Sequence, residues 1–148
     1  MAHKQLVREW MTPDPVVVAP DISVAEAHRI MTLRKIRRLP VLDKGALVGI
    51  VTLGDLRGAE PSEATSLSVW EVHTLLDRLT LRRTMSRPVH TIAAGATIGE
   101  AARRMLENKI GGLPVMNGDR LVGIITESDI FRLVVQQWVQ EESGEPVG

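Results

Sequence analysis

The chain has 148 residues, 18 Lys and Arg against 18 Asp and Glu, no cysteine and four aromatic side chains. The missing cysteines exclude disulfides, thiolate metal sites and cysteine nucleophiles. The balanced charge argues against a dedicated nucleic-acid binder, which needs a cationic surplus, and no apolar run approaches the ~20 residues of a membrane span.

The length suits one domain, or two small ones sharing a core. No apolar signal-peptide core follows Met1, so the expected compartment is the cytoplasm. In chain order, Val16-Val17-Val18 after Pro13 and Pro15 predicts a short strand. Asp21 or Ser23 can cap a helix, Glu26 completes a capping box with Ser23, and Val24, Ala27, Ile30, Met31 and Arg34 follow helical spacing. Strands are expected at 39–42 and 46–51, joined by Asp43-Lys44-Gly45, with a helix starting near Thr52 or Gly54. Residues 58–66 are polar and read as a loop. Val69, Val72, Leu76 and Leu79 then mark a linker helix covering the first unit, with Trp70 on a neighbouring face open to a partner. A strand at 89–92, a helix at Ile98–Asn108, and strands at 113–116 and 121–125 around Asn117-Gly118 follow. The last helix is expected from about Glu127 to Gln140, carrying Val134, Val135 and Trp138, before a frayed acidic tail at 141–148.

This order contains a repeat. Ile36-Arg37-Arg38-Leu39-Pro40-Val41, Leu47-Val48-Gly49-Ile50-Val51-Thr52 and Asp55 return as Ile110-Gly111-Gly112-Leu113-Pro114-Val115, Leu121-Val122-Gly123-Ile124-Ile125-Thr126 and Asp129. The offset is 74 residues throughout, and 15 of 36 positions are identical between 22–57 and 96–131. Met11 and Met85 keep the same offset. The chain is therefore a duplicated β-α-β-β-α unit, an α/β fold with mixed strands and pseudo-two-fold symmetry.

Catalytic signals are weak. His3, His28, His73 and His90 show no metal-ligand spacing, and no phosphate loop or nucleophile elbow appears. The chain is read as a non-enzyme with no metal site. What remains is Thr52-x-x-Asp55 and its copy Thr126-x-x-Asp129. The ordinary role of such a pair is helix initiation. The same geometry lets a carboxylate accept both hydroxyls of a ribose, with the threonine supporting it, and the duplication favours this second role. Arg37 and Arg38 follow the helix and precede Leu39-Pro40-Val41, where two guanidiniums can grip phosphates. Their counterparts are Gly111 and Gly112, uncharged but open to close backbone approach.

The doubled Leu-Pro-Val, Leu-Val-Gly-Ile and Thr-x-x-Asp motifs resemble the cystathionine-β-synthase (CBS) domain, two of which in tandem form a Bateman module. The resemblance covers about residues 7–131. It implies CBS domains at 7–58 and 81–135, a linker loop and helix at 59–80, and a helix end and tail at 136–148. It also implies two β-α-β-β-α repeats whose clefts bind an adenosine-containing ligand: AMP, ADP or ATP before S-adenosylmethionine. No cofactor is required. On this resemblance Thr52, Asp55, Thr126 and Asp129 hold ribose, and Arg37 and Arg38 hold phosphate. Val16, Ile36, Ile50, Val89, Ile110, Gly111 and Ile124 line the base. Each cleft would mix the repeats, and the Asp129 cleft would be the better one because Arg37 and Arg38 complete it. The resemblance further implies a regulatory, energy-sensing homodimer that signals to a separate protein, with no nucleic-acid or membrane partner. The competing reading is a homodimeric interaction module that binds no nucleotide.

Overall fold

Each repeat builds the same helix, hairpin and helix from the same local signals. The computed structural model describes residues 5–59 and 67–143. In chain order these form α1 (Val7–Trp10), β1 (Thr12–Pro13), α2 (Val24–Arg34), β2 (Arg38–Asp43), β3 (Ala46–Thr52), α3 (Leu53–Ala59) and α4 (Val69–Arg78). After them come α5 (Leu81–Thr84), β4 (Ile92–Ala93), α6 (Ile98–Asn108), β5 (Gly112–Asn117), β6 (Arg120–Thr126) and α7 (Glu127–Ser143). The fold is mixed α/β.

Helices α2 and α6 start on side-chain caps. Ser23 Oγ accepts the Glu26 N–H at 3.0 Å and Thr97 Oγ1 accepts that of Glu100 at 3.2 Å. The Glu26 carboxylate turns to Arg29 at 3.2 Å. Both helices end on a lysine in the left-handed region, Lys35 and Lys109, each with φ of 55°. The next residue then donates back, from Ile36 to Met31 and from Ile110 to Met105, each at 3.0 Å. Between these ends Val24, Ala27 and Met31, or Ile98, Ala101 and Met105, turn inward. The first hairpin turns tightly through Lys44 and Gly45, both at positive φ.

The chain divides into two compact units. The first lies within Val16–Val89; the second combines residues 90–143 with 5–15. Thus the segment that precedes each repeat in sequence packs on the other repeat. Val7 donates to the Ala96 carbonyl at 2.8 Å and Arg8 to that of Ala94 at 3.0 Å. The equivalent residues of the first unit repeat this: Leu81 donates to Ile22 and Arg82 to Pro20, both at 3.0 Å. Val7 and Leu81 are completely buried in their respective cores. The second unit has a four-stranded sheet in the order β1-β6-β5-β4, with Thr12 opposite Ile124 and Ile92 parallel to Val115. In the first unit the flanking strands shrink to single bridges beside the β2–β3 hairpin, Ser86 on Ile50 and Val18 on Val41.

That shrinkage corrects the expected Val16–Val18 strand. Ala94 donates a ladder hydrogen bond to the Met116 carbonyl at 2.9 Å. Its counterpart is Pro20, which has no N–H to give Leu42, so pairing stops at Val18. The strand expected at 89–92 also moves: pairing begins only at Ile92, and Val89 lies in irregular chain. Gly58 and Ala59, read as loop, continue α3, while 60–66 lie outside the described residues. Helix α7 passes Gln140 to Ser143, so Glu141 and Glu142 are helical rather than frayed. As expected, α4 lies on the first unit, where Leu76 and Leu79 pack against its core. No described helix is long and apolar enough to cross a membrane.

Candidate functional site

The two Thr-x-x-Asp motifs sit where β3 runs into α3 and β6 into α7. Each junction is closed by a backbone bond from the first helical residue. Leu53 donates to the Arg37 carbonyl at 2.8 Å, and Glu127 to that of Gly111 at 3.0 Å. The aspartates reach back one turn. Asp55 Oδ2 accepts the Thr52 N–H at 2.8 Å, and Asp129 Oδ2 accepts the Thr126 N–H at 2.9 Å. The helix-starting role is therefore realised in both copies, with a carboxylate near the positive helix end.

The copies differ in what else they bond. Thr52 Oγ1 accepts the Asp55 N–H at 3.1 Å, which completes a reciprocal box. Thr126 Oγ1 instead donates to Asp129 Oδ2 at 3.2 Å. Asp129 is 3% exposed, and its Oδ1 accepts Arg132 Nη1 at 2.6 Å. Asp55 is half-buried, and its Oδ1 has no partner among the described residues. A carboxylate with one oxygen fixed and the other open is suited to accept the two hydroxyls of a cis-diol. Arg132 was missed in the motif reading, although an acid and a base three apart on one helix is a legible signal. Its counterpart in the first repeat is Gly58.

The first unit brings several predicted residues together. Arg38 lies opposite Thr52 in the β2–β3 ladder and is half-buried, while Arg37 is exposed beside it. Val16 and Ile36 pack on the core, and half-buried Ile50 exchanges backbone bonds with Ser86. In the second unit Ile110 packs on the core, Gly111 supplies its carbonyl to α7, and Ile124 is half-buried on β6. Val89 is half-buried in the first unit. Among the described residues no three His, Asp or Glu side chains are grouped to hold a metal ion.

A separate feature lies on the second unit between α6 and α7. Ala102, Met105, Leu106, Ile110, Ile130 and Phe131 line a groove of about 460 Å³, with Lys109 and Glu127 at its polar edge. Beyond it α7 exposes Phe131 (63%), Val134, Val135, Trp138 (63%) and Val139, an apolar stripe at helical spacing.

Comparison with known proteins agrees with this geometry. The family model of the CBS domain matches residues 7–62 and 80–136. A CBS domain-containing protein of Dictyostelium discoideum is 33% identical over 139 residues, 90% of this chain and 93% of that protein. The chain spans only 47%, 23% and 42% of the length of three other curated relatives that it matches. The crystal structure of the CBS domain pair of protein MJ0100, in complex with 5'-methylthioadenosine and S-adenosyl-L-methionine, is 29% identical with a TM-score of 0.76. It covers 91% of this chain and 99% of its own. CBSX2 in complex with AMP is 28% identical with a TM-score of 0.73, covering 89% of this chain and 97% of its own. With both repeats matched and both junction motifs in place, the chain belongs to the CBS-domain family and carries a tandem pair of these domains.

Proposed function

We propose that the chain is a non-enzymatic regulatory module that binds an adenosine-containing ligand and passes its occupancy to a separate protein. The observation that carries this is the paired Thr-x-x-Asp junctions in a chain similar, over about nine-tenths of its length, to structures holding AMP or S-adenosyl-L-methionine. Thr52, Asp55, Thr126 and Asp129 hold ribose, and Arg37 and Arg38 hold phosphate. Aliphatic Val16, Ile36, Ile50, Val89, Ile110 and Ile124, with Gly111, take the base, which suits a chain with four aromatics. AMP, ADP and ATP are the preferred ligands. Binding one conformation better than another shifts the population, and a partner that reads the shift senses energy state. Calorimetry with AMP, ADP, ATP and S-adenosylmethionine tests this. Absence of heat up to millimolar ligand, together with no thermal shift, rejects it.

The apolar stripe of α7 favours a homodimer, and supports the second reading of an interaction module without nucleotide. Phe131, Val135 and Trp138 would bury against a second copy, with the groove at Leu106 beside them. Light scattering at micromolar concentration should give twice the 16.3 kDa chain mass. A monomer that binds AMP retains the first reading and removes the dimer; a dimer that binds no adenosyl ligand selects the second.

A further inference from the structure

Three of the roughly four acceptor positions of the Asp129 carboxylate are filled by its own chain, so two further donors cannot both be accommodated. Oδ2 takes the Thr126 N–H and hydroxyl, and Oδ1 takes Arg132. A ribose diol presents two hydroxyl donors to one carboxylate, so it competes with Arg132 for Oδ1. Arg132 is well placed to yield. Its side chain is 68% exposed, and Oδ1 is its hydrogen-bond partner among the described residues, leaving most of its five N–H donors to solvent. It sits one turn beyond Asp129 on α7, so the guanidinium can swing on its own arm while the helix stays in place. Gly58 holds the equivalent place in the first repeat and can do nothing of the kind.

We propose that Arg132 sets the charge selectivity of the Asp129 junction. The guanidinium rests on Asp129, and passes to the phosphate of a nucleotide whose ribose takes its place. This rests on the adenosyl-binding reading above. For a nucleoside phosphate the exchange is balanced: the buried carboxylate keeps two hydroxyl donors and the guanidinium gains an anion. A nucleoside without phosphate displaces Arg132 into water and offers it nothing. A sulfonium ligand brings a second cation towards it. The junction therefore prefers AMP to adenosine and to S-adenosylmethionine.

Calorimetry on the full chain carrying Asp55→Ala, which silences the first junction, tests this with AMP and adenosine. AMP should bind more tightly than adenosine. Adding Arg132→Ala should weaken AMP about tenfold, the loss of one charge-assisted contact, without weakening adenosine. Arg132→Lys should retain part of the preference, and Arg132→Gln should lose it. Equal losses for both ligands, or no loss for AMP, overturn the proposal while the adenosyl-binding reading stands. AMP binding that vanishes with Asp55→Ala alone overturns it too. No AMP binding by the unsubstituted chain removes both. Cooperative circular-dichroism melts should confirm that the Arg132 variants fold, with a modest loss of Tm because buried Oδ1 loses its donor.

Discussion

Two equivalent glycines should respond differently to the same substitution. Gly123 on β6 lies under Met11, and Gly49 on β3 under Met85. A Cβ at Gly123 would stand 2.5 Å from Met11 Sδ and 2.8 Å from the Thr12 carbonyl oxygen. At Gly49 the close atoms are Met85 Sδ at 2.5 Å and Cγ at 2.8 Å. A methionine side chain has three rotatable bonds and can withdraw. The Thr12 carbonyl cannot, because β1 is paired with β6 at Thr12–Ile124 and Pro13–Gly123. Overpacking against backbone costs about 1–3 kcal/mol, and against a flexible side chain the cost should fall near the low end. At this chain length about 1 kcal/mol moves Tm by roughly 2–4 °C. Gly123→Ala should therefore lower Tm by about 3–9 °C and Gly49→Ala by about 3 °C or less, measured by circular dichroism. Double-mutant cycles sharpen the contrast. Met85→Ala should abolish the cost of Gly49→Ala, whereas Met11→Ala should leave much of the Gly123→Ala cost in place. An equal cost at both glycines, or full rescue of Gly123→Ala by Met11→Ala, would refute the reasoning.

Three other outcomes are expected. Deleting residues 1–13 removes β1 and buried Val7, so hydrogen exchange should accelerate at β6 in the second unit while β2 and β3 of the first stay protected; acceleration confined to the first unit would contradict the exchanged packing. Asp129→Ala should weaken AMP binding more than Asp55→Ala, each by about 10- to 100-fold for a lost charged acceptor; equal calorimetric losses would count against unequal junctions. Trp138→Glu places a charge in the α7 stripe and should shift light scattering to monomer without changing AMP affinity; an unchanged mass would show that α7 is not the dimer surface.

Local elements were legible because each rests on neighbours in sequence. The span of α6, Ile98–Asn108, follows from a Thr97 cap, apolar spacing and an end at Lys109. The hairpins followed from β-branched runs around turn residues. The flanking strands did not follow, because two or three residues become a strand only through a partner far away. Val16-Val17-Val18 has stronger strand propensity than Ile92-Ala93, yet the second pair forms the ladder. The exchanged segments were out of reach for the same reason. The shared 74-residue offset of Met11 and Met85 showed that both flanks recur, but not on which repeat each would fold.

Several departures from duplication fall at the junctions and their supporting strands. Pro20 stands for Ala94, Arg37 and Arg38 stand for Gly111 and Gly112, and Gly58 stands for Arg132. The core positions are identical, as Met31 with Met105, Leu39 with Leu113 and Val41 with Val115, or change only between aliphatic residues, as Val24 with Ile98 and Val51 with Ile125. Equal cores hold the two units to one fold, because a core tolerates only volume-conserving change. The rim is under no such constraint, so charge has drifted there. In the first repeat the cations stand at the start of β2, Arg37 just before it and Arg38 on it opposite Thr52; in the second the cation stands on the helix that carries Asp129 itself. A cation on the facing strand leaves Asp55 Oδ1 open among the described residues, whereas one on the same helix closes Asp129. The two copies of one motif thus start from opposite states, one open and one latched. A ligand must break an ion pair at Asp129, and none among the described residues at Asp55. Because the arginine side of the latch is mostly solvent-exposed, the guanidinium can leave Asp129 while the helix stays in place, and it acts chiefly as a selector.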